Sequence, residues 1–310
     1  MNILVVGNGR HAKRRVVPAL KKISTISTID ILDRKATNES IKLTEKIKII
    51  NAEYPYRNSK KYDLVIICSY PTVHIDNFEN LKDKGVRFII EKPISNDFEF
   101  MTSNKFKKIY LESKILESLP FFHHPFWTFL NNTVRNHNFE FLESKFTIPN
   151  KFDKNDFRLN KDLGGSAILD NGIYPISCIN ALLNINIDNL IEKKITYDHK
   201  LKIDISGNAT LGTDSVKKIK IEWGFGHEYQ NYIKLKSKKL ELYIPFFFSK
   251  PEKFIPKVFI NNSEEISFRN IDQFRKLYSL ALNDHKNSAL YNSYSSIYNR
   301  YYLMKRLLDD

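Results

Sequence analysis

Cysteine is almost absent: Cys68 and Cys178 are the two among 310 residues, too few for a disulfide framework or a four-cysteine zinc site, and they are not paired as Cys-x-x-Cys. Long apolar runs are missing too. No stretch approaches the roughly 18 residues of a membrane span, and the apolar start Ile3-Leu4-Val5-Val6 ends at Gly7 without a basic leader. A soluble, cytoplasmic protein with no membrane partner and no bound metal is therefore expected. Acidic residues are in deficit, 35 against 49 Lys+Arg, for a net charge of +14. The lysines are scattered (Lys42, Lys46, Lys48, Lys217, Lys218, Lys220), no basic tail or nucleic-acid signature accompanies them, and no nucleic-acid partner is expected. The same field would favour a phosphorylated or nucleotide-bearing small substrate. What remains, 42% apolar and 13% aromatic, is a globular composition long enough for two domains.

Residues 2–6 form a short apolar run that suits a buried parallel strand feeding a turn. A helix is predicted over 10–22, with Pro18 inside it as a kink or early break. Residues 26–32, 47–50, 64–68 and 88–90 read as strands, and 40–45 and 73–84 as crossovers, the latter closed by Gly85. This alternation predicts a doubly wound parallel α/β sheet of the Rossmann type over residues 1–119. Beyond residue 120 the period changes. After a helix over 166–183, Ile219, Ile221 and Trp223 alternate with Lys218, Lys220 and Glu222, and Leu240, Leu242 and Ile244 with Lys239, Glu241 and Tyr243. Strands with one wet face predict an α+β domain over 120–310 with a mostly antiparallel open sheet. Helices over 271–282 and 289–308 follow, the last expected to pack back on the first domain. An open face invites self-association, so a homodimer or homotetramer is expected.

Gly7-Asn8-Gly9-Arg10-His11-Ala12 is G-x-G-x-x-A between a predicted strand and a predicted helix. Gly7 permits the tight turn, Gly9 a close approach of pyrophosphate, and Ala12 close packing of helix on strand, while the helix start offers unpaired N–H groups. Asp33 follows Ala12 by 21 positions, where the adenine ribose is gripped. Asp33 would accept from both ribose hydroxyls and repel a 2′-phosphate, whereas Arg34 would clamp that phosphate or stack on adenine; NAD is expected, with NADP the alternative. Glu91-Lys92-Pro93 follows the strand at 88–90, which aims Lys92 at the crevice beyond the strand ends; a solvated surface lysine is the plain alternative. In Gly164-Gly165-Ser166-Ala167-Ile168-Leu169-Asp170-Asn171-Gly172-Ile173-Tyr174, Asp170 and Tyr174 share a helix face, and Gly172 between them leaves room for a flat ligand.

These pieces, with Ser69-Tyr70-Pro71-Thr72-Val73-His74, resemble the glucose-fructose oxidoreductase and inositol dehydrogenase (Gfo/Idh/MocA) family over nearly the whole chain. Gly9-Arg10, Arg14-Arg15, Pro18-Ala19-Leu20, Phe157-Arg158 and Tyr174 in place of the commoner histidine look like its sugar-nucleotide ketoreductase branch. The resemblance implies a nicotinamide-dependent oxidoreductase acting on a sugar or nucleotide sugar, as in surface-polysaccharide or deoxysugar biosynthesis. It implies Lys92, Asp170 and Tyr174 as the catalytic group. It places residues 7–12, Asp33, Arg34, Ser69, Tyr70, His74, Glu91 and Lys92 at the cofactor, and His123, His124 and Arg158 beside the catalytic group at the substrate. Lysine and tyrosine are both protonated at neutral pH, so each would donate to a developing alkoxide. Two departures stand out: Pro120-Phe121-Phe122-His123-His124-Pro125-Phe126-Trp127 occupies the usual arginine- or tyrosine-bearing substrate segment, and the turn at 236–239 lacks glycine. The competing readings are an imine or tetrapyrrole reductase of the same fold and a dinucleotide-binding regulator without turnover.

Overall fold

The computed structural model describes residues 1–37, 40–51, 62–82, 85–185, 187–251, 254–283 and 292–309. The chain divides into two compact units, Met1–Leu119 with Asp272–Tyr294, and Pro120–Ile271 with Ser295–Asp310.

The first unit is built on a seven-stranded sheet. Its strands are β1 (Asn2–Val6), β2 (Thr28–Leu32), β3 (Ser40–Lys42), β4 (Ile47–Ile50), β5 (Leu64–Ile67), β6 (Arg87–Glu91) and β7 (Lys114–Ser118), in the order β3-β4-β2-β1-β5-β6-β7. Every pairing is parallel except β3–β4. The continuous apolar runs are explained by burial on both faces: Ile3, Leu4, Val5, Leu64, Ile66, Ile89 and Ile90 are fully enclosed. The strand order reverses at β1, which makes the ends of β1 and β5 the topological switch point where α/β sheets bind ligands. Two local expectations are corrected. Residues 40–45, predicted as a crossover, instead supply the short antiparallel edge strand β3, whose three residues are all exposed and so carry no core-facing helical stripe. The helix Gln273–Asn283, predicted within the second domain, joins this unit's core: Leu277, Tyr278, Ala281 and Leu282 pack with Val5, Val16, Leu20 and Ile31.

The helix after the glycine turn begins as a wide, π-type segment, Ala12–Val16, and continues as the α-helix Val17–Lys21. Pro18 lacks the N–H that would bond Arg14, and it falls in the first turn of the α-helical part, where that N–H is dispensable. The proline therefore changes the register of the helix without ending it.

The second unit carries an eight-stranded sheet of β8 (Phe141–Ile148), β9 (Leu190–Asp198), β10 (Ile203–Leu211), β11 (Lys218–Phe225), β12 (Gln230–Lys236), β13 (Glu241–Pro245), β14 (Lys257–Ile260) and β15 (Glu264–Ser267). Their order is β15-β14-β13-β12-β8-β11-β10-β9, antiparallel except for β8–β11. One face is covered by the helical stretch Ile168–Gly172 and Ile173–Leu183, against which Ile219, Ile221 and Trp223 are fully buried. The β12–β13 hairpin closes without glycine because Ser237 Oγ accepts from Leu240 N at 3.0 Å and Lys239 N at 3.3 Å. The terminal helix is Tyr294–Leu308; residues 289–291 of the predicted helix, and Asp83 and Lys84 of the predicted crossover, lie outside the described residues.

Candidate active site

The first unit gathers its functional residues at the carboxyl ends of β1, β5 and β6. Gly7 ends β1 with φ at +107°, its N donating to Leu32 O at 3.0 Å, and a Cβ there would lie 3.0 Å from the Cys68 carbonyl oxygen. Only glycine turns the chain this sharply beside β5. Gly9 differs: nothing lies within 4 Å of where its Cβ would stand, so no packing within the chain demands glycine there. The first helical hydrogen bond runs from Lys13 N to Gly9 O, which leaves the N–H groups ahead of it without helical acceptors. An open glycine at the start of a helix fits a dinucleotide pyrophosphate. Ala12 is buried, Arg10 exposed and His11 half-buried. Asp33, at the end of β2, accepts from Asn8 Nδ2 at 2.9 Å and Lys35 N at 2.9 Å, and these bonds hold its carboxyl below the ordinary range. Arg34 is exposed and donates from Nη2 to Asn77 Oδ1 at 3.2 Å.

Beyond β5, Ser69 is half-buried and Tyr70 is 50% exposed, the exposure expected of a ring that meets a ligand or solvent. His74 is not exposed with them. Its ring is enclosed, with Nδ1 2.8 Å from Pro93 O and Nε2 2.9 Å from Ser69 O, so both nitrogens are engaged by backbone and the ring acts beneath the site. Glu91 ends β6 buried, and its carboxylate lies 3.2 Å from His11 Nε2. Burial works against its charge, but His11, Ser118 and Lys92 hold the Glu91 carboxyl below its usual value. Lys92 follows half-buried, joined to Pro93 by a cis peptide bond. Burial and the neighbouring Glu91 push the Cys68 thiol up, so it is no nucleophile.

The second unit holds the other candidates. Gly172 carries no space for a ligand: a Cβ there would meet Ile168 Cγ1 at 2.9 Å and Trp223 Cγ at 3.0 Å, so its missing side chain admits the Trp223 indole of β11. Asp170 and Tyr174 therefore ride on a wide turn, Ile168–Gly172, clamped from below. The clamp has a second jaw that no local sequence signal announces. Asp204 of β10, 3% exposed, accepts from Ile168 N at 2.7 Å, from Ser166 Oγ and from Trp223 Nε1 at 3.4 Å. Burial raises the Asp204 carboxyl above its ordinary value against the pull of these donors.

Asp170 accepts from Arg158 Nε at 2.8 Å, and Arg158 Nη1 also reaches Asp156 at 3.2 Å while the guanidinium lies over the Phe157 and Phe152 rings. Burial opposes the arginine's charge, but the two carboxylates hold it firmly protonated. Arg158 and Asp170 thus form one pair, where sequence reading assigned them separate contacts. Tyr174, half-buried, stands on an aromatic floor of Phe146, Phe248 and Phe121, with ring centroids 5.3, 5.9 and 6.1 Å away. Of the adjacent histidines, His123 is half-buried, but His124 is 1% exposed and faces inward, accepting from Phe126 N at 3.1 Å as the cap of helix Pro125–Asn136. Burial and the Lys250 ammonium push the His124 imidazole down to about 3, so its ring is neutral and serves the fold instead of a substrate. Among the described residues no three His, Cys, Asp or Glu side chains form a metal cluster.

Residues 1–105 match the family model described as oxidoreductase family, NAD-binding Rossmann fold. Two characterised relatives are dTDP-3,4-didehydro-2,6-dideoxy-alpha-D-glucose 3-reductases. That of Actinomadura kijaniata is 24% identical across 88% of this chain and 83% of its own, and that of Streptomyces antibioticus 22% identical across 84% and 80%. Among solved structures, a 3-ketoreductase from Actinomadura kijaniata in complex with NADP and TDP-benzene shares the fold at a TM-score of 0.83 and 21% identity, covering 98% of this chain and 96% of that one. An aldose-aldose oxidoreductase from Caulobacter crescentus complexed with glycerol aligns at a TM-score of 0.78 and 14% identity, over 99% and 96%. The glycine turn, the Glu-Lys-Pro strand end and the helix of Asp170 and Tyr174 follow one another along the chain, and its first 105 residues are similar to the Gfo/Idh/MocA oxidoreductase family.

Proposed function

We propose that the protein is an NAD(P)-dependent ketoreductase of a nucleotide sugar, of the dTDP-deoxysugar type, acting in deoxysugar or surface-polysaccharide biosynthesis. The observation that carries the reading is the glycine turn at the switch point of the parallel sheet, with Lys92 at the end of the next strand but one. The substrate class is supported by two dTDP-sugar 3-reductases that align along most of the chain. When bound, the nicotinamide supplies or takes up the hydride.

The residues of this chain do the rest. Gly7, Gly9 and the first turn of the helix receive the pyrophosphate, and residues 33–34 the adenine ribose. Arg34 and Lys35, exposed beside Asp33, favour NADPH, since the Asp33 carboxylate already has two donors in Asn8 and Lys35 N. Tyr174 donates the proton to the nascent alkoxide, its aromatic floor shielding that proton from water. Lys92 polarises the carbonyl. Asp170, paired with Arg158, orients a substrate hydroxyl with its remaining acceptor capacity.

The working form is a cytoplasmic homo-oligomer joined through the open face of the eight-stranded sheet. Its support is the free state of Cys68 and Cys178 and an aromatic stripe on that face. The test is titration with NADH and NADPH followed by nicotinamide fluorescence, repeated with dTDP-sugars present. Tight binding of one cofactor, then turnover of a dTDP-ketosugar, is expected; binding of neither cofactor overturns the reading.

A further inference from the structure

The segment 69–74 lies at the site, yet its histidine touches neither solvent nor any surface a ligand would reach. His74 opens the helix His74–Leu81, is 1% exposed, and places one ring nitrogen 2.8 Å from Pro93 O and the other 2.9 Å from Ser69 O. Both partners are carbonyls, which only accept. A neutral imidazole has one N–H and one lone pair, so it satisfies one carbonyl and turns its lone pair on the other. At less than 3 Å two lone pairs repel. Only the imidazolium, with two N–H groups, fits both contacts.

The surroundings contain the charges that such a cation needs. Burial is the largest influence and holds the imidazole below its ordinary value, while the Ser69 and Pro93 carbonyls and the carboxylates of Glu91 and Glu117, the charged groups that face the ring, pull the other way; the two carbonyl contacts, which no neutral ring satisfies together, decide for the cation. Glu91 is shared with His11 across 3.2 Å. Glu117 is fully buried on β7 and accepts at 3.1 Å from Ile94 N, the N–H of the same peptide unit whose carbonyl His74 holds.

We propose that His74 is a positioning residue for the reaction: as an imidazolium it ties the Ser69 and Pro93 carbonyls together and so fixes the loop that carries Lys92. The tie continues outward, because Asn77 donates to Ser69 Oγ at 2.9 Å and accepts from Arg34 at 3.2 Å. The loop beneath the cofactor, the strand end bearing Lys92 and the ribose-side arginine thereby share one hydrogen-bonded chain. Loss of the second proton, as pH rises, releases one carbonyl and loosens Lys92. This inference rests on the role given to Lys92 above.

The full-length protein labelled with 15N-histidine tests it directly. His74, assigned by the resonance missing in His74→Phe, is expected to show two protonated ring nitrogens at neutral pH; one protonated and one bare nitrogen overturns the clamp. This readout needs neither cofactor nor sugar, so it stands apart from any failure to find turnover. In kinetics, His74→Phe is expected to keep cofactor binding but lose kcat by about tenfold or more, the scale of a charge-assisted hydrogen bond, with the alkaline fall of the wild-type pH profile flattened. His74→Gln, which retains a donor, is expected to recover part of kcat. A His74→Phe enzyme with wild-type kcat and an unchanged pH profile overturns the proposal.

Discussion

At the scale of single residues, the proposed chemistry turns on proton donors placed in different electrostatic settings. Tyr174, the proposed proton donor, stands on an apolar floor. Tyr174→Phe is expected to lower kcat by roughly 100-fold or more, the usual reach of a general acid, with cofactor affinity unchanged; single-turnover measurement of NADPH oxidation separates the two. Wild-type kcat in this variant would remove Tyr174 from the chemistry. The cofactor preference rests on two neighbours. Asp33 is held by Asn8 and Lys35 N, while Arg34 donates to Asn77. Arg34→Ala is expected to weaken NADPH by about tenfold, one charge-assisted bond, and to leave NADH nearly unchanged. Equal loss for both cofactors in the fluorescence titration would make Arg34 an adenine-stacking residue.

At the scale of elements, the helix of Asp170 and Tyr174 is held by groups distant in sequence. The buried Asp204 accepts from Ser166, Ile168 and Trp223, and Trp223 fills the place of a Gly172 side chain. Asp204→Ala leaves buried donors unsatisfied and is expected to cost about 1–3 kcal/mol or more in chemical denaturation; a loss below about 0.5 kcal/mol, the size of a surface change, would show that the turn stands without it. This element also marks the limit of sequence reading. The glycine turn, the Glu-Lys-Pro strand end and the Asp170–Tyr174 spacing are local patterns, so they were legible. The wide turns were not, since each depends on a partner outside the window: Pro18 changes hydrogen-bond register only because the helix continues past it, and Gly172 is small because of Trp223, 51 positions on. The same reason hid the Arg158–Asp170 pair and the inward face of His124. In a chain whose period-two and period-3.6 signals are set by burial, polar groups that serve each other inside the protein leave no periodic trace.

Lys250 carries this point into stability. Its ammonium donates to Phe247 O at 2.7 Å and lies 5.2 Å from the centre of the Phe126 ring, and burial pushes it down from 10.5 to about 7. The unfolded chain therefore binds one more proton than the folded chain between those values, and stability must rise with pH across that window. His124 next to it, already at about 3, stays neutral throughout and adds nothing to the slope. Lys250→Met is expected to flatten the rise in urea denaturation between pH 7 and 10. An unchanged slope would assign it to other groups.

At the scale of the whole molecule, the charge and the open sheet oppose each other. The chain carries a net charge of +14, which repels a second copy, yet one face of β12, β13 and β14 carries Tyr232, Tyr243 and Phe259, each half-buried, in a row, with centroids 5.4 and 6.3 Å apart. Around the row the lysines are already paired, Lys145 with Glu222 and Lys234 with Glu241, both at 2.8 Å. Burial, with Glu143 beside Tyr232, pushes the Tyr232 hydroxyl up, so the row stays uncharged at any physiological pH. A locally neutral aromatic stripe on a basic protein suits an isologous contact, in which the stripe of one copy meets that of its partner and the excess lysines stay outside. Two outcomes follow from that balance. Added salt screens the long-range repulsion and leaves apolar burial intact, so association is expected to tighten between low and physiological ionic strength. Tyr243→Arg, which puts a charge at the centre of the stripe, is expected to give monomers that still bind cofactor. Light scattering after size exclusion measures both. A wild-type protein that is monomeric at every salt concentration, or a variant that assembles as the wild type does, would move the interface off this face.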